Sequence, residues 1–266
     1  IQLQKLINPF KLRRTKQHVL SELPDKIEDI RTCELLKEQI ELYNSILYTQ
    51  VQNLLKKLDK DPKIPYMHVF AIITKLKQIC DHPCLIYKSD DIDKYQSGKF
   101  ELVKEIIAEA LGSNHKIVIY SQYVQMLNLI SKYLTQEKIK HVLLTGQTKN
   151  RAELINQFQN NPDIKIFCAS LLAGGIGIDL TAASVVIHYD RWWNPAKENQ
   201  ATDRVHRIGQ NQNVLVLKLI TLGTLEEKID VIINKKKDLF EKFISEDKEI
   251  IKKLTKEDII YLLSNN

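Results

Sequence analysis

Five short runs rich in β-branched and other apolar residues punctuate the second half of the chain: IVIY (Ile117 to Tyr120), HVLL (His141 to Leu144), IKIFCA (Ile164 to Ala169), SVVIHY (Ser184 to Tyr189) and VLVLKLI (Val214 to Ile220). Stretches of helical periodicity separate them. The runs carry little polar alternation, so strands made of them must be covered on both faces. Covered strands spaced by helices predict a parallel sheet built from right-handed crossovers, an α/β sandwich. In such sheets ligands gather at the carboxyl ends of the strands, and the unusual residues of this chain are expected there.

Upstream the pattern differs. Leu36, Ile40, Tyr43, Leu47, Val51, Leu54 and Leu58 recur at spacings of three and four, which predicts one long amphipathic helix. A second is predicted from about Tyr66 to Cys80, with DKDPKIP as the break and Tyr87 to Gly98 as a polar surface loop. The first hundred or so residues therefore read as helical. Thr224 followed by Glu227 predicts the cap of a long helix running through Leu239 to Phe243, and a short amphipathic helix is predicted at Leu254 to Leu263.

At 266 residues and 44% hydrophobic composition, the chain can bury one large core or two modest ones. No apolar run approaches the roughly 20 residues that span a bilayer, and the opening IQLQKLINPFKLRRTK lacks the order of a signal peptide. An intracellular protein is expected, in the cytoplasm or nucleoid of a prokaryote or the nucleus of a eukaryote. The absence of an initial Met points to a piece of something longer. The net charge of +6 decides little, and the basic clusters at Lys11 to Lys16 and at Lys235, Lys236 and Lys237 suit solvated helix ends and phosphate contacts equally. Cys33, Cys80, Cys84 and Cys168 are too sparse for a disulfide scaffold. CDHPC has no second Cys/His pair at zinc spacing, so the expectation is no metal site but a helix-ending turn stopped by Pro83.

Three segments invite chemistry. On a helix advancing about 100° per residue, QATDRVHRIGQ (Gln200 to Gln210) sets Gln200, Asp203, Arg204 and Arg207 on one face, with Asp203 one turn from Arg207. Two guanidiniums at that spacing can meet a polyanion, although a solvent-facing helix with one ion pair explains the pattern as well. SLLAGGIGIDL (Ser170 to Leu180) packs three of the eight glycines into four positions directly after a strand, which suits either a phosphate or ribose contact or a crowded turn. It is neither a dinucleotide fingerprint, since Leu180 stands where a third glycine is needed, nor a Walker A loop, since GK[ST] occurs nowhere. HYDRWWNPA places Trp192 and Trp193 side by side at a strand end, where alternation allows one to be core and the other exposed; core packing is the default for each, and an exposed one would be a stacking platform or wedge. His188 and His206 are expected to be structural, because no nucleophile sits at a motif position beside them.

Taken together these segments resemble the SWI/SNF-type family of superfamily-two helicase-like ATPases. PFKLRRTKQHVLSELPDKIE (Pro9 to Glu28) resembles the stretch joining the two motor lobes, and LKQICDHPCL the family's helical insertion. IVIYSQYVQML, LLTGQTKNR, CASLLAGGIGIDLTAASVVIHYDRWWNP and QATDRVHRIGQ follow in the order of the second lobe. The resemblance implies a RecA-like parallel sheet with helices on both faces and a helical insertion at the N-terminal side. It implies four regions: an inter-lobe linker at 1–30, the insertion at 31–97, the lobe at 98–222 and a helical extension at 223–266.

The resemblance also implies roles. Arg204 and Arg207 would be arginine fingers for the γ-phosphate of ATP, which is held with Mg2+ mainly by the other lobe. Gly177 and Asp179 would approach the nucleotide sugar, and Gln200 and Asp203 would help close the lobes. Gln122, Gly146, Thr148, Ser170, Gly174 and Trp193 would face double-stranded DNA, with Trp193 as the wedge. Implied partners are double-stranded DNA, the N-terminal ATPase lobe of the same protein and a DNA-bound protein substrate, with no membrane. Tyr120, Tyr123 and Thr145 depart mildly from the family pattern. The larger departure is that the 266 residues carry no Walker A loop or acidic magnesium box, so the piece alone is expected not to hydrolyse ATP. Two other readings fit less of the sequence: a catalytically silent DNA- or protein-binding lobe, and an oxidoreductase resting on the glycine-rich turn alone.

Overall fold

The computed structural model describes residues 23–60, 64–170, 178–236 and 251–264, excluding the side chains at 57–60. Six strands form one sheet: β1 (Lys26–Cys33), β2 (Ile117–Ser121), β3 (His141–Leu144), β4 (Ile166–Ser170), β5 (Val185–His188) and β6 (Val214–Thr221). Their order is β1-β6-β5-β2-β4-β3, and every neighbouring pair is parallel. The five strands expected from the apolar runs are all present. β1 is the addition, and it corrects the expectation that the first hundred residues are wholly helical.

The helices are α1 (Lys37–Ile46), α2 (Gln52–Lys60), α3 (Tyr66–Asp81), α4 (Cys84–Tyr87), α5 (Gly98–Gly112), α6 (Val124–Gln136), α7 (Arg151–Asn160), α8 (Pro195–Thr202), α9 (Leu225–Lys235) and α10 (Lys256–Leu263). A π-helical turn at Leu47–Val51 interrupts the predicted first helix between α1 and α2. α10 matches the predicted terminal helix, capped by Thr255 on Asp258. Thr224 caps α9, accepting from the backbone N–H of Glu226, while the Glu227 carboxylate reaches Gly223 N at 2.6 Å. The expected continuation to Leu239 and Phe243, the basic run at Lys11 to Lys16, and Lys237 lie outside the described residues.

Strand alternation sorts the core into two layers. Ile117 and Ile119 of β2, Ile166 and Cys168 of β4, and Leu217 and Leu219 of β6 pack against α5 and α6. Val118 and Tyr120, Phe167 and Ala169, and Val214 and Val216 face the other way, toward Phe158 of α7, Ala201 of α8, and Leu180 and Val205. A third cluster lies within the helical part, where α1, α3, α9 and α10 enclose Val69, Ile72, Leu76, Ile229 and Leu262.

Buried polar ties fasten that helical part to the sheet. Gln39 of α1 donates to Ile79 O at 2.6 Å and accepts from Gly98 N at 3.0 Å. A Cβ at Gly98 would lie 2.0 Å from the carbonyl oxygen of Glu34, so only glycine lets α5 start this close to the end of β1. Fully buried Lys99 binds Asp81 at 2.9 Å and Glu226 at 2.6 Å, joining α3, α5 and α9. Burial pushes the Asp81 carboxyl well up, against the pull of Lys99.

Candidate functional site

Four of the residues expected to face DNA fall at the carboxyl ends of neighbouring strands. Gln122 follows β2, Ser170 ends β4, and Gly146 and Thr148 follow β3. Thr148 accepts from Thr145 N at 3.0 Å, and Arg151 donates to the carbonyls of Thr148 and Gly146 at 3.3 and 3.4 Å, shaping a small polar loop. Gly146 is exposed, and an added Cβ there meets nothing in the chain. Gly174 lies outside the described residues.

Sequence reasoning missed Asp190, which organises this edge from the end of β5. Its carboxylate accepts from Ser121 Oγ, from Gln122 N at 3.1 Å and from Gln122 Nε2 at 2.8 Å. Burial raises the Asp190 pKa, and Lys77, Ser121 and Gln122 oppose the rise. Lys77 also donates to Arg191 O at 2.5 Å. The legible signal was an acid inside an otherwise buried run, a type that stays buried only when partnered.

Both tryptophans are buried, as core packing predicts, which corrects the expectation that Trp193 is an exposed wedge. Trp193 is 2% exposed within the helical core and Trp192 is 3% exposed on the sheet's other layer. Opposite orientation at a strand end sends each ring into a different core rather than one into solvent. In this arrangement Trp193 has no surface to offer as a wedge.

The arginine segment is also not one helix. Asn194 caps α8, accepting from Ala196 N at 3.0 Å, with Pro195 in the first turn, but the helix stops at Thr202. The N–H groups of Val205 and His206 both donate to Thr202 O at 2.9 Å, Gln210 N donates to Arg207 O at 3.0 Å, and Gly209 takes φ of 97°. Asp203 to Gln210 is therefore a chain of turns, and the single helical face joining Gln200, Asp203, Arg204 and Arg207 is not formed.

Tertiary bonds hold the turns instead. Leu180 N donates to Arg204 O at 2.9 Å, and Gln210 Nε2 donates to Ala183 O at 2.8 Å. His206 Nε2 bonds Pro24 O at 2.8 Å. Ala183 and Pro24 precede β5 and β1, so the anchors lie where strands begin, not at the carboxyl ends where the sequence suggested.

Arg204 and Arg207 are half-buried, and Gln200 and Asp203 are exposed. Asp179 sits one residue before Leu180, its carbonyl accepting from Gln159 Nε2 at 3.1 Å and its carboxylate from Thr181 N at 3.3 Å. The structure thus brings Asp179 beside the Arg204 backbone, while Gly177 lies outside the described residues. His188 is a structural hydrogen-bonder: buried, it bonds Thr202 Oγ1 at 2.9 Å, and burial lowers its pKa to about 4. Among the described residues no group of three or more His, Cys, Asp or Glu side chains is placed to hold a metal ion. No described helix is long and apolar enough to cross a membrane.

A wholly parallel sheet covered on both faces, with polar residues at neighbouring carboxyl ends and an anchored arginine turn, defines a RecA-like α/β lobe. Residues 98–209 match the helicase conserved C-terminal domain, and residues 1–85 match the SNF2-related domain. The solved Sulfolobus solfataricus SWI2/SNF2 ATPase C-terminal domain is 38% identical, with 91% of this chain and 100% of that one covered at a TM-score of 0.72. The SWI2/SNF2 ATPase core of the same organism in complex with dsDNA is 40% identical, covering 100% of this chain and 56% of that one at a TM-score of 0.75. An uncharacterized ATP-dependent helicase of Mycoplasma genitalium is 37% identical, covering 98% of this chain and 25% of that protein. The chain belongs to the SWI2/SNF2 family of helicase-like ATPases. It spans about a quarter of the length of the curated relatives it matches.

Proposed function

We propose that this chain is the second motor lobe of a protein that couples ATP hydrolysis to translocation on double-stranded DNA and to remodelling of protein–DNA complexes. The observation that carries the reading is the anchored turn: Arg204 and Arg207 stand on one short backbone segment pinned by Leu180, Gln210 and His206. A guanidinium held by a stiff backbone costs little reorganisation when phosphoryl charge develops, which is how an arginine finger accelerates transfer. Arg204 and Arg207 would carry that charge to the γ-phosphate, Asp179 and Gly177 would lie toward the sugar, and Gln200 and Asp203 would meet the closing lobe. ATP and Mg2+ would be held mainly by the first lobe, and the residues of this lobe would supply charge and orientation to the bound nucleotide.

Gln122, Gly146, Thr148, Ser170 and Gly174 would take the DNA backbone. Small and polar groups there suit contacts that ignore base sequence. The lobe would occupy 98–222, preceded by the linker and insertion and followed by the 223–266 extension. The protein would act inside the cell, and these 266 residues alone, without a GK[ST] loop, would not turn over ATP.

The test is DNA-stimulated ATP hydrolysis by the full-length protein. Arg207→Ala should lower kcat by about 10³-fold, the scale of an arginine finger, with DNA affinity retained. A variant that hydrolyses ATP at the wild-type rate removes the proposal.

A further inference from the structure

We infer that His206, which stands between the two arginines, is a positioning residue that ties their turn to the entry of β1, so that finger geometry follows the segment arriving from the first lobe. This rests on the phosphate-facing reading of Arg204 and Arg207.

The argument begins with the carbonyl of Pro24. A carbonyl only accepts, so His206 Nε2 must be the donor across its 2.8 Å contact. The next residue continues the stitching: Asp25 N donates to Asn213 Oδ1 at 3.1 Å, and Val214 N donates to Asp25 O at 2.9 Å. Two residues entering β1 are thus bound at three points to 206–214. They lie within Pro9 to Glu28, the stretch that resembles the inter-lobe connection.

The place of this bond argues for coupling rather than for holding the fold. The inner side of the turn is already secured by Val205, which is fully buried, by Leu180 N on Arg204 O, and by Gln210 on Ala183 and Val205. His206 and Pro24 are only half-buried, and β1 is an edge strand exposed along most of its length. Pro24 and Asp25 are held by the three bonds to 206–214 and by the β1–β6 ladder that begins at Lys26 and Val214; of these ties, the one at His206 leads into the arginine turn, to the backbone of Val205 and Arg207 on either side. Phosphoryl transfer tolerates little displacement of its charged partners.

The experiment uses the full-length protein with His206→Ala and His206→Gln, the latter restoring a side-chain N–H donor. Steady-state ATP hydrolysis is measured on double-stranded DNA alongside DNA affinity. His206→Ala should lower kcat roughly tenfold, with KM for ATP and DNA Kd within about twofold, and His206→Gln should recover most of the loss. An unchanged kcat in the alanine variant, a loss that glutamine fails to recover, or a change confined to KM or DNA Kd overturns the inference. So does an alanine variant that aggregates, since a positioning bond leaves the fold standing. Arg207→Ala in the same assay separates the two claims. If it retains activity, the phosphate reading itself fails; if it is inactive while His206→Ala is unimpaired, only the coupling fails.

Discussion

His188 closes β5 with its ring stacked on Tyr120 at 5.6 Å and its Nε2 on Thr202, inside a site with no water-exposed surface. Burial holds its pKa at about 4 instead of 6.5, and burial holds His82 at about 4 as well. A folded pKa below the unfolded one means that the unfolded chain takes up protons first as pH falls. The stability of neutral His188 is therefore complete above pH 6.5 and drains away as pH falls toward about 4, by up to about 3 kcal/mol for a shift of this size. Denaturant unfolding at pH 7 and pH 5 should show the loss, and His188→Gln should make the pH dependence shallower. Equal pH dependence in the two proteins would contradict the assignment. The pairing of His188 with Thr202 could not be read from sequence, because it joins a strand end to the last turn of a helix fourteen residues on. The burial of Trp193 is hidden from sequence for a related reason: pattern gives the alternation of sides, and only the fold shows that both sides are cores.

At the level of elements, Arg191 is the clamp that seats α8. Its guanidinium binds Glu198 of α8 and Asp230 of α9, each at 2.5 Å, and Glu198 also accepts from Trp192 N at 2.9 Å. Burial raises the Glu198 pKa, but Arg191 and its neighbours win and the carboxylate stays charged. Removing one partner of such a pair strands the other, at a cost of about 3–5 kcal/mol. Arg191→Ala should lose about that much in equilibrium unfolding, and a change near zero would show that α8 is seated by packing alone.

What was legible at this scale follows burial. β2, β4, β5 and β6 are apolar on both faces and announce themselves, as does α3, whose sixteen residues match the predicted span to within one. β1 was hidden because KIEDIRTC is an exposed edge strand whose charges mask its period. The end of α8 was hidden because nothing in ATDRVHRI forbids a helix; contacts from Leu180, Ala183 and Pro24 stop it.

Across the whole molecule, the two groups of candidate residues are set apart by the sheet. Gln122, Gly146, Thr148 and Ser170 lie where strands end, and the arginine turn is fastened to segments where strands begin. The proposed function would use both groups, one to carry charge to a nucleotide and the other to grip a polymer. On that proposal the anchored turn would act only when a second lobe brings ATP to it. The most direct measurement is ATP-dependent displacement of a third strand from double-stranded DNA by the full-length protein and by its Arg207→Ala variant. The wild-type protein should displace the strand only with ATP, and the variant should bind the duplex with Kd within about twofold yet fail to displace it. Displacement by the variant at the wild-type rate, or none by the wild-type protein, would contradict the account.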